Sequence, residues 1–306
     1  MRLLISLLFL LLFAPSLWAC DVCGSGAGDN VFGLLPNYRS RFMGLRYRFQ
    51  KYYTEHPPYL LEAGEGLEAW DYLQRAEIWG RYGLLKNRVQ LFATLPYQHY
   101  SNYENEVWSY NQGLGDASVQ ANITLYNNTD SAEYKLRHFL QLGFGLKLPT
   151  GSYQRQNESG ELLPANLQMG TGSWDVPLML LYNWQYRSWG GGLEMSYTLN
   201  TRAPETNYAF GDRWNTNLYG FYRQKIKGNS ISYQAGLRYE YRNPDYRGNI
   251  PEEFTYGWAL WGRLGADLFL KNYAFGLEAQ LPIQQALGEG YVYGRWQASL
   301  RAIYLF

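Results

Sequence analysis

Cys20 and Cys23 stand two residues apart in "CDVCGSGAG" and are the only cysteines in the chain. Two thiols at that spacing can hold a metal, exchange electrons or pair with each other. A structural zinc site needs four ligands, yet no second cysteine pair exists and the nearest histidine, His56, lies far along the sequence. A redox pair normally opens a helix, and none is indicated here. "LWAC" matches a lipoprotein signal in part, with Trp18 where a small residue is usual. In an oxidising compartment the pair is expected to close as a small disulfide, with metal binding and lipid attachment as alternatives.

Catalytic and nucleotide chemistry find little to work with. The three histidines, His56, His99 and His138, accompany no Gly-x-Ser-x-Gly elbow. The glycine-rich "GSGAGD" and "GTGSWD" are followed by no Gly-Lys-Ser/Thr and precede no helix, so both read as turns. No enzyme and no cofactor are expected. The net charge of +1 gives no reason for a nucleic-acid partner.

What the chain offers in quantity is guanidinium, and its placement depends on the elements that carry it. The stretch "MGLRYRFQ" sets Met43, Leu45, Tyr47 and Phe49 against Arg46, Arg48 and Gln50. "ISYQAGLRYEYR" and "GRWQASLRAIYLF" repeat that period of two, which is the signature of strands. The first nineteen residues have one Arg, an apolar run over 3–13 and Ala19, the layout of a secretory leader. Export leaves a secreted β-sandwich or a membrane barrel. Tyr and Trp number 29 and 11, as suits membrane-interface belts, and a mean hydropathy of −0.39 suits a barrel with a polar lumen. An Arg facing lipid at mid-membrane costs about 2–4 kcal/mol, so the polar face must point inward. That face carries Arg46, Arg48, Arg75, Glu77, Arg81, Arg88, Arg223, Arg238, Glu240, Arg263, Asp267, Glu278, Arg295 and Arg301, with Gln90 and Glu194 beside them.

Connections alternate in length. Short ones fall at 85–87, 186–190, 227–229 and 271–273, and longer ones at about 55–68, 101–112, 149–172, 201–212, 243–255 and 284–290. Short periplasmic turns alternating with longer outer loops are expected of an outer-membrane barrel. The count is about twelve antiparallel strands, an all-β transmembrane barrel over 38–306, after a leader at 1–19 and a periplasmic or lumenal segment at 20–37 that would serve as a gate. A terminal aromatic such as Phe306 resembles the signal read by barrel-insertion machinery, which with outer-membrane lipid would be the partner.

Three stretches, "GLGDASVQANITLY", "LGFGLKLPTGSY" and "LQMGTGSWDVPLMLLYNW", resemble the phenol-degradation meta-pathway group of outer-membrane transporters. The matching motifs are Gly113–Asp116, Lys147–Gly151 and Gly170–Asp175, all in the middle third of the chain. The resemblance implies a transporter-type barrel in the bacterial outer membrane and says nothing of substrate. Physically the motifs are strand ends, where Asp116 or Asp175 can accept backbone N–H groups. The lumen then favours passive diffusion of small polar or anionic solutes, selected by arginine. The alternative is a closed barrel that binds or scaffolds, handling metal through Cys20 and Cys23.

Overall fold

The computed structural model describes residues 41–56, 67–129, 134–156, 160, 162–163 and 165–306. Cys20, Cys23, the leader and the 20–37 segment lie outside the described residues. The first strands are β1 (Phe42–His56), β2 (Leu67–Leu84), β3 (Val89–Glu104), β4 (Val107–Leu114), β5 (Ser118–Asn127) and β6 (Leu136–Lys147). β7 (Val176–Tyr186), β8 (Trp189–Leu199), the short β9 (Tyr208–Ala209), β10 (Arg213–Ile226) and β11 (Asn229–Arg242) follow. The short β12 (Tyr246–Arg247) and β13 (Ile250–Pro251) precede β14 (Gly257–Phe269), β15 (Tyr273–Ala286) and β16 (Val292–Leu305).

Thirteen of these form one antiparallel sheet. β1 pairs with β16, from Phe42 opposite Leu305 to Thr54 opposite Val292, and with β2 on its other side. β2 pairs with β3, so the sheet closes on itself. β4 and β5 share one position on the wall: β3 pairs with β5 over Val89–Thr94 and with β4 over Tyr97–Glu104. The result is a closed barrel of twelve antiparallel strands. β9, β12 and β13 make a small separate sheet within the outer loops.

Alternation sorts the side chains. Leu45, Ile78, Leu218, Leu264 and Leu300 are all more than half exposed on the outer wall. Aromatic residues bracket this apolar band. Trp214 and Tyr222 face outward eight positions apart on β10; at 3.4 Å per residue and a tilt of about 40° they are separated by about 21 Å of height, close to the ≈ 25 Å apolar band of an outer-membrane barrel. Backbone ladders leave no lipid-facing edge, as a bilayer demands. The chain is an outer-membrane-type barrel.

Three sequence expectations change. Arg88 lies in the turn at 85–88, its N–H donating to Leu85 O at 3.1 Å, and its side chain is exposed rather than lumenal. Arg295 is also exposed. Lys51 pairs with Trp296 and Tyr52 with Gly294, so Arg295 is the extra residue of a β-bulge. The bulge breaks the alternation, and the guanidinium stacks on the outer-wall rings of Tyr53 and Trp70 at 5.0 and 5.6 Å. Residues 101–112, expected as a loop, continue the sheet as a β3–β4 hairpin. Its two-residue turn, Asn105 and Glu106, has φ of 48° and 63°, the left-handed pair that fits the twist of a hairpin.

Candidate functional site

The lumen is layered. At the periplasmic end, twelve inward side chains pack into an apolar floor that includes Phe42, Trp79, Phe92, Phe139, Leu181 and Phe269. Each belongs to the same alternation that carries the arginines: Phe42 is four residues before Arg46 and Trp79 two after Glu77. Phe42 and Trp79 meet edge to face with centroids 4.6 Å apart. Arg81 lies over the Phe42 ring at 5.1 Å, and half-buried Arg223 over Phe221 and Phe269 at 5.7 and 5.6 Å. A period-two pattern marks which way a residue points, not whether the layer it joins is polar, so the floor escaped the sequence reading.

Above the floor the charges divide into two walls. On β11 to β16 the lumenal arginines of this layer each meet a carboxylate. Arg238 Nη2 donates to Glu240 Oε2 at 2.6 Å, Arg263 Nη2 to Glu278 Oε2 at 2.5 Å and Arg301 Nη2 to Asp267 Oδ1 at 2.5 Å. Gln280, Gln234 and the Trp261 indole N–H bind the same carboxylates at 2.7–2.8 Å. Three guanidiniums and three carboxylates leave this wall neutral. On β1 and β2, register places Arg46 opposite Glu77 and Arg48 opposite Arg75. Arg46 Nε and Arg48 Nη2 donate to Glu77 at 2.5 and 2.9 Å, and Arg75 Nη1 lies 3.8 Å from it. Among the described residues, three guanidiniums thus converge on one carboxylate.

A loop roofs the chamber from the extracellular side. Residues 148–175, between β6 and β7, bend back over the lumen where they are described. Gln98 Nε2 donates to Met169 O at 2.8 Å, Asn111 Nδ2 donates to Leu167 O, and Met169 is buried. The motif residues converge at the root of this loop. Lys147 Nζ pairs with Asp175, lies 3.4 Å from Asp116 Oδ2 and donates to Thr171 Oγ1 at 2.8 Å. Asp116 accepts the N–H groups of Gly151 and Thr171 at 3.0 and 2.9 Å, and Asp175 accepts that of Thr201 at 3.0 Å. Gly151 and Gly170 touch backbone to backbone here; a Cβ on Gly170 would come within 2.6 Å of Gly151.

Between roof and cluster lies a cavity of about 150 Å³. Its lining includes Arg46, Arg48, Arg75, Lys147 and Arg213 against two carboxylates, Glu77 and Asp116. Arg213, which the sequence reading missed, stands at the first inward position of β10, two residues before buried Asn215. Among the described residues, the guanidiniums and the ammonium that line this space can present N–H donors to a small anion.

No family model matches the sequence, and no curated protein matches it. Among solved structures, the chain is similar to an outer-membrane channel from Pseudomonas putida F1, at 14% identity and a TM-score of 0.64, over 90% of this chain and 98% of that one. It is also similar to the β-domain of the Bordetella autotransporter BrkA, at 13% identity and a TM-score of 0.53, over 87% and 99% of the two chains. Both likenesses are of fold, and they agree with a barrel of the bacterial outer membrane.

Proposed function

We propose that this protein is an outer-membrane channel for small anionic or strongly polar solutes, with Arg46, Arg48 and Arg75 as its selectivity group. The observation that carries the reading is the mid-lumen cavity, which among the described residues is lined by Arg46, Arg48, Arg75, Lys147 and Arg213. Anions passing it exchange hydration for guanidinium contacts. A purely hydrophobic permeant gains nothing from such a layer, so kinship with the phenol-degradation transporters, supported by Asp116, Lys147 and Asp175, is proposed for architecture rather than cargo. Passage requires the aromatic floor to part, and residues 20–37, expected in the periplasm or the lumen, are the proposed gate. Phe306 is the candidate insertion signal.

The test is planar-bilayer recording under a salt gradient. Discrete conductance with anion preference is expected, and Arg46→Glu with Arg48→Glu should reverse or abolish that preference. Unchanged selectivity in the double variant removes these residues from the path. The packed floor favours one second reading, a closed barrel that binds its ligand without conducting it and presents Cys20 and Cys23 for metal; it predicts no conductance in the same recording.

A further inference from the structure

The outer wall carries a feature that conduction does not use. Across β11, β14, β15, β16 and β1 to β4 the lipid-facing surface is hollowed, with an apolar depression of about 950 Å³ lined by residues such as Leu45, Ile78, Leu95, Leu277 and Leu300. Register ties this hollow to a cationic patch directly above it. Outward positions on β1 run Leu45, Tyr47, Phe49, Lys51 and Tyr53, opposite Ala302, Leu300, Ala298, Trp296 and Tyr293 on β16. The same rungs face Ile78, Ala76, Gln74, Tyr72 and Trp70 on β2. Phe49 and Trp296 stack with centroids 4.7 Å apart at the top of the apolar stretch. Lys51 Nζ then lies over Trp70 and Tyr72 at 4.1 and 5.2 Å, and the bulged Arg295 lies over Tyr53 and Trp70.

Lys51 follows Met43 by eight positions, so it sits about 21 Å above the inner rim, at the outer edge of the apolar band. Two cations share one aromatic platform there, and among the described residues neither makes an ion pair. Glu55 and Glu68 close the same face one or two rungs further out, with Glu68 accepting from the Tyr53 hydroxyl. Ring stacking holds the two cationic heads in place while their donors stay open to an anion at headgroup height.

We propose that this wall binds a phosphorylated glycolipid of the outer leaflet, with phosphate on Lys51 and Arg295 and acyl chains along the hollow beneath. Cationic donors at the rim and a largely apolar surface below it, interrupted at Gln74, select an amphiphile that has both parts. The site is independent of what the lumen carries.

The test is native mass spectrometry of the full-length protein in detergent, titrated with bisphosphorylated lipid A, its dephosphorylated form or phosphatidylglycerol. A chelator is present so that divalent ions on Glu55 and Glu68 cannot substitute for the cations. Bisphosphorylated lipid A should bind about tenfold more tightly than either other lipid, and Lys51→Gln with Arg295→Gln should erase that margin. Arg41→Gln, at the opposite rim over Tyr82, should leave it intact and shows that the change is local. Retention of the margin in the double variant, equal binding of the dephosphorylated lipid or of phosphatidylglycerol, or an equal loss in Arg41→Gln would each overturn the assignment.

Discussion

Glu77→Gln removes a buried carboxylate on which three arginines converge. Glu77 is 3% exposed and takes direct contacts of 2.5 and 2.9 Å from Arg46 and Arg48, with Arg75 at 3.8 Å. Breaking a buried ion pair costs about 3–5 kcal/mol, because the surviving charge is left desolvated and uncompensated. Three guanidiniums converge on Glu77, so a cost within that range is expected. Arg247–Glu252 is the internal control: its side chains are 45% and 21% exposed, and Glu252→Gln should cost no more than about 1 kcal/mol. Reversible urea unfolding of the barrel in lipid vesicles reads both. Chloride or phosphate should recover part of the Glu77→Gln loss by occupying the cluster, and should do nothing for Glu252→Gln. If Glu77→Gln costs less than about 1 kcal/mol, the cluster is bathed in water and the dry, charged chamber described above does not exist.

Other perturbations test other layers. Gly170→Ala places a methyl group against the Gly151 backbone, so it should lift the roof loop, exposing Met169 to oxidation and raising conductance. Trp79→Ala with Phe92→Ala should open the floor: each truncation costs about 3–5 kcal/mol, and conductance in bilayers should rise even as stability falls. In the outer loops, Tyr208 donates to Asp245 Oδ2 at 2.7 Å, and burial together with that carboxylate holds its phenol pKa well above the ordinary value. The stabilisation is complete below the unfolded tyrosine value of about 10 and declines as pH rises beyond it. Hydrogen exchange in the β9–β12–β13 sheet should accelerate in that window, and Tyr208→Phe should remove the pH dependence.

The barrel was legible because a period of two over a dozen segments, one face greasy and the other bearing arginine, has few other physical solutions. The same rule placed Arg46, Arg48, Glu77, Arg238, Arg263 and Arg301 inward, where they are found buried. It failed at Arg295, because a single bulge breaks the alternation and no residue type announces the bulge, and at Arg88, because parity has no meaning inside a turn. Which cation faces which carboxylate depends on register between strands that are distant in sequence. Arg238 meets Glu240 on its own strand, but Arg301 meets Asp267 from two strands away. The grouping of Arg46, Arg48 and Arg75 around Glu77 likewise follows from register. Asp116, Lys147 and Asp175 were legible as strand-end residues; that they lock one loop over the lumen needed the fold.

Anomalous diffraction from crystals soaked in bromide addresses the central claim most directly. The account predicts a bromide peak in the chamber among Arg46, Arg48 and Arg75, lost in Arg46→Glu with Arg48→Glu. An empty chamber, or a rubidium peak there in a parallel soak, would contradict it.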